Sequence, residues 1–312
     1  MKAILKDRSF RISILLTLIF FGIGIVFLFT GLADFSWALF ILLPIVLGIA
    51  LGAMPNKKYM LWGALGATAI VLIVLLIPGL SGLLCIVMTI PLILPVIFIG
   101  CIIGHLSERW QKIKSDKFHL LLIPLLPFLI IAPLEKNINK DKMAVVSVST
   151  EQVFPYTPEQ VYDAIKSVDT LDAEKPYLML LDLPIPTKCI LEKEEVGSIR
   201  TCHFKGGKLS NRDFGAGTIT EKITQLERGK ILKMDVVDCN VIGRKWLGFK
   251  EAIYYFQKAG DSNCKLIRVT TYTSVLSPRF YWEPLEKLGI QQEHDYVFSN
   301  LAKDLEKRYG KR

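Results

Sequence analysis

Charge is scarce over the first third of this 312-residue chain, and that scarcity excludes more than any motif. Ile12–Ala33 and Phe35–Asn56 each run 22 residues without Asp, Glu, Lys or Arg, Tyr59–Ser107 runs 49, and Phe118–Leu134 runs 17. A water-soluble surface cannot be built from such stretches, whereas a bilayer core needs about 20 apolar helical residues. The same runs offer no ionisable residue for a proton relay or ion path, which argues against a pump or an ion-coupled transporter. Compact metal-ligand spacing, a nucleophile elbow, a phosphate loop and a dinucleotide fingerprint are all missing. No cofactor or metal is therefore expected, and a nucleic-acid partner is not called for.

The apolar runs predict a transmembrane region over residues 1–134, with five spans at about 12–33, 35–56, 59–79, 83–104 and 118–134. Four spans is the alternative, because the last run is short and holds Pro124 and Pro127. The first run exceeds the 7–15 residues usual for a signal peptide core and reads as a retained helix. Lys2, Lys6, Arg8 and Arg11 precede it, Lys57 and Lys58 occupy the second loop, and Arg109, Lys112, Lys114 and Lys117 the fourth. The loops around Asp34 and Gly79–Ser81 carry no basic residue. By the positive-inside rule the N-terminus is cytoplasmic in a bacterial inner or plasma membrane. Five spans put the rest of the chain outside the cytoplasm, and four keep it inside. Gly48 and Gly52, and Gly100 and Gly104, are spaced to permit close helix contact, although glycine is common in such helices.

Composition changes after this region. Residues 1–117 hold 10 basic and 4 acidic side chains, and the remainder holds 28 and 25, so much of the net charge of +9 sits beside the membrane. That distribution suits anionic lipid headgroups. Glu135–Met143 reads as a polar tether to a domain over 144–312. In that domain Val145, Val146 and Val148 open a strand reaching Phe154, and Thr157-Pro158-Glu159-Gln160 carries the signature of a helix capping box. Strand patterns follow at Lys188–Glu192, Ser198–Lys205, Gly217–Leu226, Ile231–Val237, Phe249–Lys258 and Cys264–Ser274. Serial strands without intervening helices predict an antiparallel meander. Ile290, His294, Val297, Leu301 and Leu305 share one face of a final helix from about Pro284 to Tyr309. The fold class expected is thus an α-helical transmembrane bundle followed by an α+β helix-grip domain, a curved antiparallel sheet closed by a long C-terminal helix.

With its opening “FPYTPEQVYDAI”, then “VGSIRTCHFKGG”, “AIYYFQKAG” and “SPRFYWEPLEKLGIQQEHDYVFSNLAKDLEKR”, the stretch Val145–Arg308 resembles the START/Bet v 1-like, or SRPBCC, superfamily, labelled polyketide cyclase/dehydrase and lipid transport. The resemblance implies a hydrophobic pocket between helix and sheet. It leaves open which of the superfamily's roles the chain performs, since carriers, cyclases and hydrolases share the fold.

Six residues are candidates for such a pocket. His294 lies on the sheet-facing stripe of the last helix and is placed either to meet a ligand or exchange a proton, or to be satisfied within the core. Trp246, Tyr281 and Trp282 combine apolar area with a polar handle, as suits a cavity mouth, a membrane interface or core closure. Arg279 follows Ser277-Pro278 and could meet an anionic headgroup. Arg268, if inward, needs a partner, for which Glu251 and Glu221 are conceivable. The four cysteines of this half, Cys189, Cys202, Cys239 and Cys264, permit disulfides without establishing any. The leading functional reading is binding or local transfer of a lipid or other hydrophobic small molecule, with membrane lipids as partners. A cyclase- or dehydratase-like enzyme on an apolar substrate, and a membrane-located scaffold or sensor with a membrane-protein partner, are the alternatives.

Overall fold

The computed structural model describes residues 7–54, 57–76, 83–111, 118–139, 143–206, 216–241 and 246–311. The chain divides into two compact units, one comprising Met1–Ser81, Cys85–Lys142 and Val275–Trp282, the other Gly82–Leu84, Met143–Ser274 and Glu283–Arg312.

The first unit is helical. Its elements are α1 (Arg8–Thr30), a π-helical turn Ala38–Leu42 that runs into α2 (Leu43–Gly52), α3 (Lys57–Leu76), α4 (Leu83–Gln111), and a 3-10 segment Phe118–Leu125 that runs into α5 (Leu126–Asn139). Among the described residues, four helices are long and apolar enough to cross a membrane, Arg8–Thr30, Lys58–Leu75, Leu83–Ser107 and Leu121–Asn139, and Ala38–Gly52 is a shorter apolar helix. The sequence placed the short segment last; the structure places it second. Phe118–Asn139 gains length because helix continues through Glu135–Asn139, the first residues of the stretch expected as a tether. The 3-10 geometry across Pro124 accommodates a residue that cannot donate to an α-helical ladder.

Glycine lets α2 and α4 approach until backbones touch. A Cβ on Gly48 would lie 2.2 Å from the carbonyl oxygen of Ile97, and one on Gly104 would lie 2.2 Å from that of Ile49. Both glycine pairs noted in the sequence therefore meet in one crossing, where closely spaced backbones gain dispersion contacts. Gly48→Ala should cost about 1–3 kcal/mol by overpacking. Thermal unfolding of the detergent-solubilised protein checks this, with Gly66→Ala, which meets nothing within 4 Å, as the control.

The second unit is a seven-stranded antiparallel sheet in the order β1-β7-β6-β5-β4-β3-β2. Its strands are β1 (Ala144–Phe154), β2 (Ile185–Leu191), β3 (Ile199–Lys205), β4 (Gly217–Glu227), β5 (Ile231–Cys239), β6 (Leu247–Lys258) and β7 (Cys264–Ser274), with short helices α6 (Pro158–Ile165) and α7 (Tyr177–Leu181) between β1 and β2. The long helix α8 (Arg279–Tyr309) follows β7. Register shifts at Thr220/Glu221, Ile223/Gln225 and Phe249/Glu251 supply the bulges that curl such a sheet. The capping box is present: Thr157 Oγ1 accepts from Gln160 N at 3.4 Å, and Gln160 Oε1 accepts from Thr157 N at 3.0 Å. One core cluster gathers Phe154, Val161, Tyr162, Leu232, Tyr254, Leu266, Phe298, Leu301 and Leu305 around the C-terminal half of α8. A second, smaller cluster joins Val146, Val148, Leu247, Tyr272 and Ile290. This is the expected helix-grip arrangement, with α8 starting at Arg279 rather than Pro284.

Candidate functional site

Strand alternation sends the even-numbered side chains of β7 toward α8, and most of them are polar. Ser274 Oγ and Tyr272 OH donate to Glu286 at 2.6 and 3.1 Å, Thr270 meets His294, and Arg268 meets Glu293. The Thr270–His294 and Arg268–Glu293 pairs thus form a polar layer between the two apolar clusters of the second unit, Glu286 closes the far side of the smaller cluster, and each member needs a partner to offset its desolvation.

His294 is fully buried, and both ring nitrogens are spent: Nε2 is 2.8 Å from Thr270 Oγ1 and Nδ1 is 2.9 Å from Thr150 Oγ1. A neutral imidazole donates from one nitrogen and accepts at the other, so two hydroxyls, one on β1 and one on β7, satisfy it. The sequence-based candidate for proton exchange consequently acts as a tie between α8 and two strands. Burial, followed by the nearby Arg268 charge, holds its pKa well below 6.5. The folded state then binds fewer protons than the unfolded state, whose imidazole titrates near 6.5, and stability is lost as pH falls through that value. Acidifying below about pH 6.5 should lower stability through this residue, by at most about 1.4 kcal/mol per pH unit. Amide exchange in β1 and β7 measures it, and His294→Gln, which can still donate and accept, should lack that portion of the pH dependence.

Arg268 and Glu293 form a two-toothed pair, with Nη1 donating to Oε1 at 3.2 Å and Nη2 to Oε2 at 2.9 Å. The guanidinium lies over the Tyr254 ring, 5.5 Å from its centroid. Glu293, not Glu251 or Glu221, is therefore the partner of Arg268. Helix α8 brings Glu293 to it across the grip, a pairing that strand spacing alone does not disclose. Glu251 instead sits 3.1 Å from Lys233, and Glu221 pairs with Arg200. Burial pushes the Glu293 carboxyl up, against the pull of Arg268, while the charge of Glu293 keeps Arg268 protonated in spite of burial. Their side chains keep 11% and 17% exposure, so the pair is not wholly closed off between β7 and α8.

Arg200 is a functional-looking residue that its sequence neighbourhood does not flag. Nη1 donates to Glu221 Oε2 at 2.8 Å, Nε to Lys166 O at 3.0 Å and Nη2 to Ile165 O at 3.2 Å. It caps the last carbonyls of α6 and pairs with the residue directly opposite it on β4. Alternation with Cys202 and Phe204 signals its inward direction. All three nitrogens are occupied, so its role is to hold α6 on the sheet. Cys189 and Cys202, paired across β2 and β3, form a disulfide.

The remaining candidates lie elsewhere. Trp246 packs with Phe249 against the smaller core cluster of the second unit. Arg279, Tyr281 and Trp282 belong to the first unit. There Arg279 Nη1 donates to Leu276 O, Tyr281 OH donates to Met88 O, and the Trp282 ring lies 5.0 Å from that of Phe40. Of the six candidates, only Arg268 and His294 share the polar layer. Among the described residues, no group of His, Cys, Asp and Glu has the makings of a metal site.

No protein-family profile matches the chain, and no curated protein matches it. Similar solved structures include a truncated norcoclaurine synthase from Thalictrum flavum, 13% identical over 55% of this chain and 98% of that one, with TM-score 0.35. An AHSA1-like protein from Aeromonas hydrophila is 13% identical over 54% and 96%, with TM-score 0.35. A protein of unknown function from Staphylococcus aureus is 11% identical over 55% and 99%, with TM-score 0.38. At such identity the likeness concerns the fold alone, and the helix-grip assignment here rests on this chain's own strand order and closing helix.

Proposed function

We propose that the chain is a membrane-anchored binding protein whose helix-grip domain holds a lipid or another hydrophobic small molecule between α8 and the sheet. The observation that carries this reading is the incomplete burial of the Arg268–Glu293 pair, an ion pair held between β7 and α8. Apolar residues on the same concave face, Phe204, Val236 and Phe249, are likewise only partly buried. A packed core would cover those rings and methyls, since burial contributes about 25 cal/mol per Å²; leaving them partly open suits a site that a ligand completes. The four long apolar helices support a membrane location, and tethering beside the bilayer supports local transfer. Each ligand methylene costs about 0.8 kcal/mol to expose to water, so a short path between bilayer and site favours exchange. The enzyme alternative asked His294 to move a proton, and the ring's two hydrogen bonds leave it no nitrogen for that task.

The test is uptake of a pyrene-labelled phospholipid by the full chain in detergent, with mass spectrometry of lipids that copurify. Saturable uptake is expected, and Val236→Arg, which puts a charge on the lining, should weaken it about tenfold, or about 1.4 kcal/mol, with the fold intact. Neither copurified lipid nor saturable uptake by the folded protein would sink the reading.

A further inference from the structure

We infer that the chain crosses the bilayer five times, that Ala38–Gly52 is the second crossing, and that the helix-grip domain lies outside the cytoplasm, where Cys189 and Cys202 remain oxidised. The inference is independent of the ligand reading.

Helix directions within the first unit follow from residues that touch. A Cβ on Gly63, early in α3, would lie 2.6 Å from the carbonyl oxygen of Phe10, early in α1, so these two helices start at the same end. Gly48 meets Ile97 and Gly104 meets Ile49, so α2 and α4 run parallel, later residues against later ones. Phe27 stacks near Phe128 at 5.5 Å, and beyond them Asp34 pairs with Lys136 at 3.4 Å, so α5 finishes where α1 finishes. Ser277 N donates to Phe35 O at 2.9 Å and Tyr281 OH to Met88 O, which places the start of α4 at that same end. The five segments therefore alternate in direction. An odd number of crossings leaves Asn139 at the end opposite Arg8.

Ala38–Gly52 is about 22 Å long at 1.5 Å per residue, short of a bilayer core of about 30 Å. Backbone N–H groups at its start would be costly at that depth without partners. Glu135 of α5 supplies them: its carboxylate accepts from Ser36 Oγ and Ala38 N at 2.8 Å each and from Trp37 N at 3.2 Å. A carboxylate committed to three donors lets a short segment begin below the headgroups. Trp37 and Phe280, both exposed and 5.9 Å apart, mark an aromatic interface at the same end. The starts of α1 and α3 and the close of α4 lie at the other end, and the basic residues that the sequence sets beside them make that end cytoplasmic by the positive-inside rule. A disulfide in the domain fits an oxidising compartment.

Spheroplasts producing the full chain as Lys6→Cys or Lys311→Cys are treated with an impermeant maleimide, and peptide mapping reads each site separately, so the native cysteines stay. Position 311 should be labelled in sealed spheroplasts and position 6 only after permeabilisation. Equal protection or equal labelling of the two would mean an even number of crossings and overturn the inference, and the reverse pattern would overturn the side. The unsubstituted chain, alkylated before lysis, should yield a linked Cys189–Cys202 peptide; alkylated thiols at both positions would overturn the oxidising assignment.

Discussion

Replacing Arg268 with Met should destabilise the helix-grip unit by about 3–5 kcal/mol, because it strands the Glu293 carboxylate inside the domain. The loss has a characteristic pH dependence. Burial already raises the Glu293 pKa from 4.5, and removing its guanidinium partner raises it further. Folding then takes up a proton, so stability falls as pH rises from the unfolded value near 4.5 through the folded one. The penalty should be larger at about pH 8 than at about pH 5, with at most about 1.4 kcal/mol per pH unit from one proton. The double variant Arg268→Met, Glu293→Leu should recover most of the loss, since apolar side chains of similar volume replace buried ion pairs at little cost. Amide exchange in β7 and α8 measures all three proteins. A single variant as stable as the double one would show that Glu293 is solvated through the interior space, and that the pair contributes little to the fold.

Leu301→Ala should cost about 2–5 kcal/mol, the sum of lost transfer energy and the cavity left behind. Leu301 is 4% exposed and belongs to the larger core cluster with Phe154, Leu266 and Phe298. Val153→Ala, at a side chain 54% exposed on the outer face of β1, should stay within about 0.5 kcal/mol. Denaturant midpoints of the helix-grip unit within the full chain distinguish the two. Phospholipid uptake by the Leu301 variant should persist wherever it remains folded, because that cluster packs the C-terminal half of α8, away from Phe249 and Val236. Parallel loss of stability and uptake would place the ligand against the packed core instead.

The helix-grip fold is legible in the sequence because its signals are local and periodic. Alternation in β4 to β7, the Thr157 capping box and the stripe from Ile290 to Leu305 each need only neighbouring residues to specify the element. The candidate site is legible in part. Arg268 and His294 can be assigned to inward faces, but their partners cannot: Glu293 reaches Arg268 from another element, and Thr150 and Thr270 reach His294 from strands that are neighbours only after β1 joins the β7 edge. For Arg200, alternation with Cys202 and Phe204 gives the inward direction, but its partner emerges only when β4 puts Glu221 opposite it.

In the apolar half, the existence of long uncharged helices and the basic character of particular loops follow from the residues alone, since hydropathy and charge are properties of each segment. Which segment is short does not follow from them. Apolar length overestimates a crossing when the chain bends, and Gly31–Trp37 is non-helical around the start of the second run apart from its last residue, while helix continues past Leu134 in the last run. Tertiary packing decides that arrangement: Glu135 satisfies the N–H groups that the bend leaves open, and Gly48 and Gly104 let α2 lie against α4. The physical reason is the same in both halves. Periodicity tells a segment which face to bury, but the partner that makes burial of a polar or closely packed group tolerable comes from elsewhere in the chain.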